Sequence, residues 1–253
     1  MSPTSTSEPA PAPLPAVPAP PRTTAWLLGH FALDVALYLV LTVLLTVVAV
    51  AVLLGAGERI SAPDGTHSPL FIAAALLATA LAGLALWPWR RPRGGPVGSP
   101  LPWRESLVMA TFAGLFAQAL PWVATQLGLP LDPSNAEPLM ALLAQKPWLA
   151  VLLIVGLAPV AEELFFRGVL LRRFALAGRP SLGLWCTAGL FALAHELVAD
   201  GPLLPRLATI ALYLALGLVF GGVYLRTGRL AAAVAAHAVA NAMALLLVTY
   251  SVA

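Results

Sequence analysis

Charge is what this sequence most lacks. Asp, Glu, Lys and Arg make up 10% of the 253 residues, against about a quarter in an ordinary soluble domain. Hydrophobic residues make up 60%, in long unbroken runs, and the mean hydropathy is +0.88. That excludes the soluble globular class and indicates an integral membrane protein. Cysteine occurs once, as Cys186, which excludes an internal disulfide. Lysine also occurs once, as Lys146, in a chain rich in Ala, Leu, Pro and Arg, a usage that suggests a GC-rich bacterial source. The net charge of +3 is no nucleic-acid signature, and no nucleic-acid partner is expected. Residues 1–22 hold eight prolines and, as charges, only Glu8 and Arg22. They read as a disordered tail, and without a basic leading region they do not read as a signal peptide.

About 20 apolar residues cross the hydrocarbon core as a helix. Seven runs qualify: Trp26–Leu54, Leu70–Trp87, Leu107–Leu127, Trp148–Leu171, Leu182–Val198, Leu203–Leu225 and Leu230–Val252. The fold class expected is all-α: a polytopic helical bundle of about seven spans, residues 23–253 forming one transmembrane domain. Pro/Gly clusters at 61–69, 90–100 and 129–138 mark boundaries between runs. With the N-terminus in the cytoplasm, eleven of the fourteen basic residues fall inside and three, Arg59, Lys146 and Arg206, outside. The positive-inside rule thus predicts a cytoplasmic N-terminus and an outer C-terminus.

Ionisable groups at membrane depth cost at least a few kcal/mol and usually face a bundle interior. They cluster in the C-terminal half. The fourth span carries Glu162, Glu163 and Arg167, the fifth Phe191, His195 and Glu196, the seventh His237 and Asn241. Four-residue spacing puts Glu163 with Arg167, Phe191 with His195, and His237 with Asn241 on shared faces. Glu162 is turned about 100° from Glu163 and is free to point elsewhere. Counted from the cytoplasmic ends at about 1.5 Å per residue, Glu162, His195 and His237 lie roughly 10–20 Å deep, so three antiparallel or parallel spans bring them to mid-membrane. Pro159 has no N–H for residue 155 and should kink the fourth span just before the glutamates. The alanine-rich seventh span lets neighbours approach closely. Asp34, near one end of the first span, reads as a structural carboxylate that snorkels to the interface. Gly217 and Gly221, four apart in the sixth span, read as a packing seam.

The set lacks an ordinary nucleophile. Cys186 is about 13 Å along its helix from His195, and Ser99 lies in an arginine-rich loop, which weakens cysteine and serine protease readings. What remains is an activated water, with a desolvated glutamate as general base. Two imidazoles and an oxygen ligand can also hold Zn²⁺, with Glu162, His195 and His237 as the candidate ligands. The zincin spacing is not met after His195–Glu196.

"EELFFR" resembles the E-E-x-x-x-R motif of the CAAX prenyl endopeptidase and bacteriocin-processing (CPBP, or Abi) family of intramembrane proteases, "FALAH" its F-x-x-x-H motif, and "HAVAN" its H-x-x-x-N motif. The three occur in the family's order, across roughly residues 147–250. The resemblance implies a metallo- or glutamate-type endopeptidase acting on a protein or peptide in the lipid bilayer. It gives Glu162 and His195 the activation of water, and His237 and Asn241 the oxyanion, with Glu163, Arg167 and Phe191 in support. A prenylated substrate is not expected from a bacterial source. Two other classes compete: a non-enzymatic bacteriocin-immunity or scaffold protein, and a proton-coupled transporter, whose usual two similar halves are not visible here.

Overall fold

The computed structural model describes residues 23–61, 67–196 and 202–252. The proline-rich tail at 1–22 and the end of the fifth expected span, Leu197 and Val198, lie outside the described residues. What is described is helical apart from one isolated bridge between Ser61 and His67. The helices are α1 (Thr24–Gly55), α2 (Pro69–Arg90), α3 (Trp103–Gln126), α4 (Ala136–Gln145), α5 (Pro147–Leu176), α6 (Pro180–Glu196), α7 (Leu203–Thr227) and α8 (Leu230–Val252). Six of them, all but α4 and α6, are long and apolar enough to cross a membrane. α6 has 17 residues within the described part. The chain is an all-helical, multi-pass membrane protein.

Local chemistry sets the ends. Thr23 Oγ1 accepts from the Trp26 N–H, and Ser68 Oγ from the Phe71 N–H, so each opens a helix with a side-chain cap. α7 stops at Gly228, where φ is +66°. α4 starts within the last three residues of the boundary expected at 129–138 and runs on toward the next span. Pro138 stands in its first turn, where a missing N–H costs nothing, so the proline cluster starts a helix instead of excluding one.

Packing is set by glycines where helices touch. A Cβ on Gly83 of α2 would stand 2.7 Å from the Ala161 carbonyl oxygen of α5, and one on Gly114 of α3 would stand 2.5 Å from the Ala236 oxygen of α8. The expected Gly217/Gly221 seam is present: both glycines of α7 abut α6, at Ala188 and Leu184. α2, α3 and α7 therefore press backbone-close on the motif-bearing helices. α1 is peripheral: only Leu27, Asp34 and Tyr38 are buried, Phe31, Val35, Leu41 and Leu45 pack partly on the core, and residues such as Val40, Val43 and Val47 are exposed.

Asp34 departs from expectation. It is fully buried and does not snorkel. Its two oxygens take Arg90 of α2 and Arg173 of α5, the latter at 2.7 Å. A lone carboxylate at that burial would be costly, and two guanidinium partners offset the cost.

Candidate active site

The fourth span is not a regular helix. α5 runs as π-helix over Leu152–Leu157, α-helix over Ala158–Glu163, and π-helix again over Leu164–Leu171. π stretches are rare and recur at functional sites. Pro159 explains the first. The Ala158 N–H donates to the Leu153 carbonyl, five residues back. The next carbonyl in that register is Ile154's, and Pro159 has no N–H to give it. The freed carbonyl is thus Ile154's and not that of residue 155, as an unbroken α-helix would have it. Asn241 of α8 takes it, donating from Nδ2 at 2.8 Å. One amide N–H and the amide oxygen of Asn241 stay uncommitted by this bond.

The ionisable groups form a chain along α5 and α8. Arg167 is fully buried, and its Nη1 donates to Glu163 Oε1 at 2.8 Å while Nη2 donates to the Gly217 carbonyl at 2.9 Å. Three rings, Phe166, Phe191 and Phe220, surround the guanidinium at 5.2–5.7 Å. The same Glu163 oxygen accepts from His237 Nδ1 at 3.0 Å. That bond requires the proton on Nδ1 and turns His237 Nε2 toward Glu162, whose Oε2 is 4.0 Å away. Both glutamates therefore address one imidazole, Glu163 by a direct bond and Glu162 across a short gap. Glu162 does not point elsewhere, although it is the more exposed of the two, at 19% against 0%. Its Oε2 is buried with no hydrogen-bond partner. Phe220 stacks on His237 at 4.5 Å and holds the ring's plane.

His195 is held separately. Its Nδ1 meets the Phe191 carbonyl at 2.8 Å. A carbonyl only accepts, so the proton sits on Nδ1 and Nε2 carries the lone pair. Among the described residues no hydrogen bond or ion pair joins His195 to Glu162 or His237. Phe191 lies between the imidazoles, 4.4 Å from His195 and 5.9 Å from His237 by ring centroids. Among the described residues, no three His, Cys, Asp or Glu side chains stand close enough to hold a metal ion. Glu162, His195 and His237 are not drawn together as a ligand shell. Cys186 is a half-buried free thiol on α6.

Tyr213 of α7 was not singled out from the sequence. It stacks on His195, with centroids 4.3 Å apart at 23°, and donates its hydroxyl to Asn135 Oδ1 at 3.0 Å. Lone tyrosines in apolar spans give no periodic signal, and Asn135 is 78 residues away. Glu196, beside His195, is also buried. Its Oε1 accepts from the Ser134 N–H at 3.2 Å, and the Ser134 hydroxyl donates to the His195 carbonyl at 2.8 Å.

No curated protein matches this chain, and no solved structure does. Residues 144–243, the segment that holds both glutamates, both histidines and Asn241, match the family model described as Type II CAAX prenyl endopeptidase Rce1-like, in agreement with the resemblance that the three motifs carry.

Proposed function

We propose that this protein is an intramembrane endopeptidase in which Glu162 activates the attacking water. One observation carries the reading: a buried glutamate oxygen with no hydrogen-bond partner faces an imidazole nitrogen at 4.0 Å, beside an ion pair that neutralises the second glutamate. A buried carboxylate oxygen left without a partner is costly, and of the unpartnered oxygens of Glu162, Glu163 and Glu196 only that of Glu162 belongs to a side chain still partly open to an incoming water. The family match supports the same reaction class.

Glu162 takes a proton from the water as its oxygen attacks the scissile carbonyl carbon. His195 Nε2, with its lone pair free, accepts a hydrogen bond from that water and holds it. As an imidazolium, His237 donates from Nδ1 to Glu163 and from Nε2 to the tetrahedral oxyanion. With Glu162, Glu163 and Arg167 ionised, the four charges then sum to zero, which suits a low-dielectric site. The uncommitted N–H of Asn241 is the second oxyanion donor, an interaction worth about 3–4 kcal/mol in other proteases. Protonated Glu162 then gives its proton to the leaving amine as the C–N bond breaks, yielding an acid and an amine. Orientation is part of the proposal: the arginine-rich ends of α2, α5 and α7 face the cytoplasm.

The test is cleavage of a membrane-anchored peptide by purified protein in proteoliposomes, with and without chelator. Glu162→Ala and His195→Ala should each lower kcat by about 10²–10⁴-fold, and the double variant should be little worse than either. Normal cleavage by Glu162→Ala would overturn the reading. Loss of cleavage on chelation, restored by Zn²⁺, would add a metal to the water's activation.

A further inference from the structure

Residues outside the three motifs converge on His195. Its Nδ1 is tied to the Phe191 carbonyl, one face carries the Tyr213 ring, and Phe191 itself packs against it. The centroid separations His195–Tyr213, His195–Phe191 and Phe191–Tyr213 are 4.3, 4.4 and 6.4 Å, which form a near-right triangle with its corner at His195. Tyr213 therefore covers a face and Phe191 an adjacent side, and together with the Nδ1 bond they fix both the tilt and the spin of the imidazole. A stack alone would let the rings slide, since ring-on-ring contact has little directionality. Tyr213 is not free to slide, because its hydroxyl is bonded to Asn135.

Asn135 is in turn set by a stretch that grips α6 and α7. The Asp132 N–H donates to Thr209 Oγ1 at 3.0 Å, the Ser134 N–H to Glu196 Oε1 at 3.2 Å, and the Ser134 hydroxyl to the His195 carbonyl at 2.8 Å. Four bonds join residues 132–135 to the last two residues of α6 and to the N-terminal half of α7, around one histidine. Any hydroxyl donor would satisfy Asn135 Oδ1; a tyrosine is needed only if its ring face is used.

We infer that Tyr213, anchored by Asn135, is a positioning residue that holds the His195 imidazole in one tautomer and one plane. This rests on the protease reading for its effect on rate, not for its effect on the ring. The experiment uses the full chain in detergent, labelled with [¹⁵N]histidine, together with cleavage kinetics. In the wild type His195 should give the signals of a single tautomer, protonated at Nδ1. Tyr213→Ala should broaden or mix those signals and lower kcat about 10–100-fold, the range seen when a metal-ligating histidine loses the group that orients it, with KM little changed. Tyr213→Phe keeps the stack and loses the anchor, so its kcat should fall by a smaller factor, roughly fivefold for one hydrogen bond. Asn135→Ala should match Tyr213→Phe, and the double variant should be no worse than either. Unaltered His195 signals in Tyr213→Ala would overturn the inference. So would additive losses in the Asn135/Tyr213 pair. Should Tyr213→Ala fail to fold, Tyr213→Phe and Asn135→Ala decide the matter. If the wild type cleaves nothing, the protease reading falls while the nitrogen signals still decide the inference.

Discussion

Glu163 is the residue on which two charges depend. It accepts from Arg167 and His237 through one oxygen, fully buried. Removing one partner of a buried pair strands the other, at a cost of about 3–5 kcal/mol. Glu163→Gln should therefore destabilise the protein by that order, read as thermal unfolding in detergent. Glu163→Gln/Arg167→Met should recover part of the loss, because Arg167 sits among three phenylalanines that a thioether suits. No coupling between the two positions in a double-mutant cycle would contradict the pairing. The i,i+4 spacing made this pair legible in the sequence. The third partner was not, because His237 is 74 residues from Glu163 and reaches it through the packing of α8 on α5.

At the scale of the helix, α5 turns on Pro159. Its missing N–H leaves the Ile154 carbonyl to Asn241, which ties α8 to the π stretch that precedes the glutamate-bearing turn. Pro159→Ala returns an N–H that competes for that carbonyl. We expect Asn241 to lose its acceptor and cleavage to fall by about fivefold, the worth of roughly one such bond, without loss of thermal stability. A rate unchanged from wild type would show that Asn241 is not held from this side. Close approach is the second property of these elements. Gly114→Ala would drive a methyl to within 2.5 Å of the Ala236 oxygen, an overpacking expected to cost about 1–3 kcal/mol and measurable by the same unfolding assay. The long apolar runs announced α1, α2, α3, α5, α7 and α8, since hydrocarbon length is written directly in composition. The π stretches were hidden, because one extra residue in a turn leaves no mark in an apolar run. α4 was hidden by Pro138 and the proline-rich stretch before it.

Across the whole molecule, topology is the property still to be measured. Single cysteines at Gly95 and Pro130, in a Cys186→Ala background, should label from opposite sides, because α3 alone lies between them. Labelling from one side would remove both the span count and the proposed orientation. The charge pattern along the sequence is strong enough to set this expectation, but it says nothing of which arginines are spent inside the fold. Arg90 and Arg173 count toward the positive side, yet both are committed to Asp34.

That commitment also orders the chain's birth. Asp34 leaves the ribosome 56 residues before Arg90 and 139 before Arg173. At about 5–20 residues per second, α1 waits roughly 3–11 s for its first counter-ion and 7–28 s for its second. During that interval the carboxylate must keep to water or to the insertion machinery, so α1 cannot settle to its final depth. α1 is therefore made before α2 and α5 but fixed only after both. Its docking is completed only when the end of α5, the helix that carries the glutamates, has emerged.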